Sequence, residues 1–187
     1  MQVGLIAGGA LVLIALAVVV SHNRFVEQGQ LVDNAWANVD TELRRRYDLV
    51  PNLVRTVQGY ASHEREVLES VVQARTAAIA ADGDMADQIG PERTLVHSLS
   101  SLLALAEAYP DMKADAHFLE LQDELVTTED RIQAARRLFN ANVRDVNRRV
   151  ESIPSNVVAG LFGFRRRDYF EIEPVIRDAG PPRVETT

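Results

Sequence analysis

Cysteine is absent from the 187-residue chain. Disulfides, thiolate metal sites, cysteine nucleophiles and a lipid-modified N-terminal cysteine are excluded together, and the redox compartment stays open. Lysine is nearly absent: Lys113 stands alone among arginines, a composition bias from which no function follows. The formal net charge of -7 leaves no cationic surplus to neutralise phosphates, which argues against a nucleic-acid partner. Catalytic patterns are missing too. His22, His63, His97 and His117 are scattered, no Glu-x-x-His pair occurs, and "HEREV" at His63 lacks the second histidine of a zinc-protease helix. No serine stands in a Gly-x-Ser-x-Gly elbow, and "AGLFGF" follows a helical pattern instead of a strand, so it is no phosphate loop. The expectation is a non-enzymatic protein with no catalytic residue, cofactor or metal.

What is present begins at the N-terminus. Val3 to Val20, "VGLIAGGALVLIALAVVV", carries no charged or strongly polar side chain and would rise about 27 Å as a helix, close to the hydrocarbon thickness of a bilayer. Ala15-Leu16-Ala17 imitates a cleavage site but lies inside the apolar run, and no Lys or Arg precedes the run, so an uncleaved signal-anchor over residues 1–21 is expected. Arg24, helped by His22, follows the span and places the C-terminal domain in the cytoplasm with a short N-terminus outside. Gly4 and Gly8 have the G-x-x-x-G spacing that allows close helix packing in a membrane, although apolar filler accounts for the pattern about as well.

Beyond the anchor the apolar residues recur at helical spacing and strand signals are absent, which predicts four amphipathic helices over about 22–47, 51–81, 91–108 and 111–153. Four helices with one apolar stripe each are expected to pack as an antiparallel, coiled-coil-like four-helix bundle spanning 22–153. In "YDLVPNLV" Pro51 reads as the first-turn proline of the second helix, Asp48 as its cap, and the stretch as the corner between the first two helices. Gly90-Pro91 opens the third helix and Asp111 caps the fourth. From Asp82 to Asp130 there are twelve acidic residues and two basic ones, and from Arg131 to Arg149 six arginines and one acid. In an up-and-down bundle Arg44, Arg45 and Arg46 would therefore face Asp111, Asp115 and Glu120, and Asp82, Asp84 and Asp87 would face Arg144, Arg148 and Arg149.

Three stretches together identify a resemblance: "RRYDLVPNLV", "LQDELVTTEDRIQAAR" and "GLFGFRRRDYF". The chain resembles the LemA family from the anchor to about Glu171. The resemblance implies a membrane-anchored bacterial helical bundle with its domain in the cytoplasm and no established catalytic activity or cofactor. Some members of that family are associated with magnetosome membranes or lie near membrane protease genes. Phe139, in "RRLFN", stands where tyrosine is common in the family, which puts in doubt only a hydrogen bond.

Two candidate surfaces follow. The corner residues Arg44, Arg45, Arg46, Tyr47, Asp48 and Asn52 are a candidate interaction surface. The amphipathic aromatic segment 154–173 offers Leu161, Phe162, Phe164, Arg165, Arg166, Arg167, Tyr169 and Phe170 for contact with the bilayer surface, unless these aromatics cap the open end of the bundle core. Residues 174–187 read as a flexible tail. The functional expectation is a scaffold or interaction module at the membrane, self-assembling or holding a membrane protein; the alternative is an adaptor or regulator of a membrane protease or envelope stress pathway.

Overall fold

The computed structural model describes residues 2–81 and 85–172. The fold is all-α, with no strand among the described residues. Among the described residues six helices follow one another: α1 (Gln2–Tyr60), α2 (Arg65–Ala80), α3 (Met85–Ala106), α4 (Pro110–Lys113), α5 (Ala116–Glu151) and α6 (Ser155–Phe162).

Pro51 is not a corner. α1 runs through it to Tyr60, and the chain turns at residues 61–64 instead. A proline inside a helix removes one amide donor and costs roughly 3 kcal/mol. The acceptor it abandons, four residues back, is the carbonyl of Tyr47, and Arg75 Nε from α2 donates to that oxygen at 2.7 Å. The apolar stripe also continues across the proline, through Leu43, Val50, Leu53 and Val57, all buried. A distant side chain and a continuous buried face together hold the helix where local propensity would break it. The other boundaries shift as well. α3 starts at Met85, so Pro91 lies within it, and the cap of α5 is Asp115, not Asp111. Asp82, Asp84 and the expected tail at 174–187 lie outside the described residues.

The described chain divides into two compact units. One contains Val39–Arg136 and the segment from Phe170; the other contains α1 up to Asn38 together with Arg137–Tyr169. In the first unit α1 and α5 run antiparallel: Tyr60 Oη donates to Asp115 Oδ2 at 2.8 Å, and Arg46 Nη1 to Glu129 Oε1 at 2.7 Å. Leu68, Val71 and Ala78 of α2, Leu95, Leu99 and Leu102 of α3, and Leu125 and Ile132 of α5 are among its other buried apolar residues.

In the second unit α1 and α5 are again antiparallel, with Trp36 edge-on to Phe139, Asn142 Nδ2 donating to the Leu31 carbonyl at 3.1 Å and Arg149 Nε to Gln28 Oε1 at 2.7 Å. Phe139 is buried and its ring meets an indole, so a phenylalanine is accommodated at this position. Toward the N-terminus α1 presents exposed apolar residues: Leu5 is 74% and Leu11 68% exposed. This part of α1 is long and apolar enough to cross a membrane, and its apolar window buries nothing in the protein.

Candidate functional site

The stripes of the first unit carry four polar residues at positions where an apolar one is expected. Arg46 follows Leu43 by three residues and precedes Val50 by four; Gln88 and Glu92 precede Leu95 at the same 4-3 spacing; Glu129 falls between Leu125 and Ile132. All four are buried, Arg46 and Glu92 completely. They meet one another. Arg46 donates through Nη2 to Glu92 Oε2 and through Nη1 to Glu129 Oε1, so one guanidinium bridges α3 and α5 from α1. Tyr47 donates its hydroxyl to Glu92 Oε1. Gln88 Nε2 lies 2.8 Å from the Tyr47 hydroxyl and 3.2 Å from both Glu92 Oε1 and the Ala78 carbonyl.

Glu92 thus accepts from three side chains, whereas Glu129 accepts from one and its Oε2 is buried without a protein partner, as is Arg46 Nε. Burial pushes the Tyr47 phenol up to about 12, against the opposing pull of the Arg46 charge and the Gln88 hydrogen bond. Tyr47 is therefore a neutral donor throughout the physiological range.

This cluster corrects the expected corner surface. Arg46 and Tyr47 are core residues, and the partners of Arg46 are Glu92 and Glu129 instead of Asp111, Asp115 and Glu120. Arg44 Nε pairs with Asp40 at 2.9 Å and Arg45 with Glu42 at 3.4 Å, both within α1, while Asn52 accepts from Arg55. Asp115 is held by Tyr60 and by the Phe118 amide, the two contacts that keep its carboxyl below the usual carboxylate range, the amide being the larger cause. At the other expected charge contact, Arg148 pairs with Asp145 and Arg149 with Gln28. Asp40, Arg44, Tyr47 and Asp48 do line one recess, of about 240 Å³, closed by Ala78, Ile79 and Gln88. Tyr47 and Gln88 belong to both the recess lining and the buried cluster.

The cluster was within reach of the sequence pattern. Continuing the stripe of α1 through Pro51, and starting α3 before Gly90, places Arg46, Gln88 and Glu92 on buried faces. Helices ended at Tyr47 and begun at Pro91 hide them.

The aromatic segment divides. In the second unit Phe164 stacks on Phe25 with centroids 4.6 Å apart, and Val158 and Ala159 are buried beside Phe25. In the first unit Phe170 and Ile172 are buried; Arg136 donates to the Ile172 carbonyl and Arg93 to that of Glu171. Phe170 therefore packs into protein and is no membrane contact, and Phe164 is half-buried against Phe25. Leu161 and Phe162 remain exposed, as do Arg165, Arg166 and Arg167, with Tyr169 39% exposed. Asn147, itself buried, clamps the Arg167 backbone by accepting from its amide at 2.8 Å and donating to its carbonyl at 2.9 Å. A second recess, of about 480 Å³, has Phe25, Val26 and Phe164 on its apolar side and Arg165 to Arg167 on its charged side.

Comparison with known proteins places these features. The chain is 25% identical over 178 residues to magnetosome protein MamQ 2 of Paramagnetospirillum magneticum, covering 82% of this chain and 65% of the relative. Magnetosome protein MamQ of Magnetospirillum gryphiswaldense is 23% identical over 190 residues, with 88% and 70% covered. Protein LemA of Metamycoplasma hominis is 24% identical over 137 residues, with 73% and 63% covered. The chain spans just under two thirds of the length of the first of these relatives. The profile of the LemA family matches residues 35–185, which includes the buried Arg46 cluster and the aromatic segment, and the chain belongs to the LemA family.

Proposed function

We propose that this LemA protein is a non-enzymatic, single-pass membrane protein whose helical domain is a scaffold or protein-interaction module that self-associates or holds a membrane protein. The observation that carries the reading is α1 itself. An apolar stretch with no buried residue in its apolar window continues, without a helix break, into the stripe that organises the domain. The stretches 39–60, 65–80, 85–106 and 116–136 bury their stripes together, and we read them as a four-helix bundle in which the Arg46 cluster fixes register. Arg24 after the span orients the domain to the cytoplasm.

The recess between Asp40, Arg44 and Asp48 offers a polar partner a mixed-charge contact. Purifying the full chain in mild detergent and determining its mass and co-purifying proteins tests this reading. A defined homo-oligomer supports the scaffold. A stoichiometric membrane protease would instead support the adaptor reading, and release of the chain from membranes by alkaline carbonate would overturn the anchor.

A further inference from the structure

α6 is apolar on two sides, and the protein covers one. Val158 and Ala159 are buried against Phe25, with Val18, Val150 and Phe164 packed around them. On the other side Val157 and Leu161, one helical turn apart, are 69% and 72% exposed, and Ile153 just before the helix is 85% exposed. Ser155 and Asn156 are the only polar residues of the helix. A helix of this composition has no reason to face water on one whole side.

Its place along α1 says what faces that side. The covered side of α6 meets α1 at Val18 and Phe25. Val18 lies inside the apolar run and Phe25 only about 7.5 Å past its end at Val20. α6 therefore straddles the level at which α1 leaves its apolar stretch, and His22 fixes it there by edge contacts to Phe162 at 4.7 Å and Phe164 at 5.5 Å. Gly163, at φ 77°, then ends the helix in the left-handed region and lets the Phe164 amide bond the Ala159 carbonyl at 2.9 Å. The turn delivers Arg165 to Arg167 immediately beside the exposed apolar side. Arg166 reaches Glu151 at 3.1 Å as an exposed pair that anionic headgroups can compete with, whereas Arg167 reaches Asp33 at 3.7 Å, about 20 Å along α1 from Val20 and beyond the headgroups.

We propose that α6 is immersed in the interfacial layer of the bilayer that α1 spans, with Val157 and Leu161 against acyl chains and Arg165 and Arg166 at the phosphates. A lipid surface fits better than a second copy of the chain. A two-fold pairing through this face would bring the same arginines toward one another, whereas anionic headgroups complement them. Val19 and Val20, next in sequence to the contact residue Val18, are themselves about half exposed on α1. The proposal rests on the reading that α1 spans a membrane.

Because the chain has no cysteine, single labels test it directly. The full chain, reconstituted in vesicles of phosphatidylglycerol and phosphatidylcholine, is labelled with an environment-sensitive fluorophore at Leu161→Cys, at Leu11→Cys within the span, and at the exposed Asp123→Cys. The expected result is that labels at 161 and 11 lose emission to a quencher carried on the lipid acyl chain and keep it against aqueous iodide, with the reverse at 123. If the label at 161 behaves like that at 123 while the one at 11 is lipid-quenched, immersion of α6 is overturned and the anchor stands. If the label at 161 is shielded from both quenchers, protein covers the face and the lipid proposal is overturned. If the label at 11 is also open to iodide, the anchor falls and the proposal with it.

Discussion

Arg75 Nε stands 2.7 Å from the carbonyl oxygen of Tyr47, the acceptor that Pro51 leaves without an amide donor. A side chain from α2 thereby replaces a missing backbone bond in α1. Arg75→Met removes the donor and should cost roughly 1–3 kcal/mol, toward the lower end because the contact is only partly buried. Pro51→Ala restores an amide at the same oxygen, so the double variant should recover most of the loss. Denaturant midpoints of the four proteins in detergent decide it; strictly additive effects would mean that Arg75 acts elsewhere.

Arg46 is the single cation of a buried cluster with two carboxylates, so removing it leaves both uncompensated. Arg46→Met should cost about 3–5 kcal/mol, and apolar replacement of Arg46, Glu92 and Glu129 together should return much of that stability. Among the acids, Glu92→Gln should destabilise more than Glu129→Gln, because Glu92 accepts from Arg46, Tyr47 and Gln88 and Glu129 from Arg46 alone. Thermal unfolding of the variants checks the order.

Tyr47 sets an alkaline limit. Its pKa is raised in the folded protein from 10.0 to about 12, chiefly by burial, so the folded state holds the phenolic proton more tightly than the unfolded chain. That contribution is fully present below pH 10 and is lost as the pH rises through about 12. Tyr47→Phe should be less stable at neutral pH, having lost the hydrogen bond to Glu92, and should show a shallower fall between those limits. Unfolding midpoints measured across that range give the comparison; an unchanged slope would exclude Tyr47 as the source.

Asp115 works at the opposite end of the scale. It caps α5 through the Phe118 amide and accepts from Tyr60, and its pKa is lowered. A lowered carboxyl contributes stability above its ordinary value of 3.8, and this is lost as the pH falls below that value through the folded pKa. Asp115→Ala should lower the melting temperature at neutral pH more than Tyr60→Phe does, since it removes both contacts, and should flatten the acid limb. Asp115→Asn, which keeps the cap, should fall between them.

How much of this was legible can be judged residue by residue. The charge pattern sets Arg44, Arg45 and Arg46 beside Asp111, Asp115 and Glu120; in the structure Asp115 meets Tyr60 instead, and Arg46 is drawn into the core onto Glu92 and Glu129. Pro51 misled because its penalty is local and visible, whereas its compensation, Arg75, belongs to another helix. The aromatic segment was read as either a membrane contact or a core cap. Its residues divide, with Phe164 and Phe170 packed and Leu161 and Phe162 left exposed.

By itself the sequence determines one apolar helix of membrane-spanning length, an all-helical chain and membership in the LemA family. The first two follow from composition and short-range periodicity, which tertiary contacts do not change, and the third from the stretches "RRYDLVPNLV", "LQDELVTTEDRIQAAR" and "GLFGFRRRDYF". Only the tertiary structure decided where the chain turns, which polar residues enter the core and which side of α6 is left uncovered. Those outcomes depend on donors and packing partners far away in the chain, such as Arg75 for Tyr47 and Glu129 for Arg46, and local propensity cannot register them.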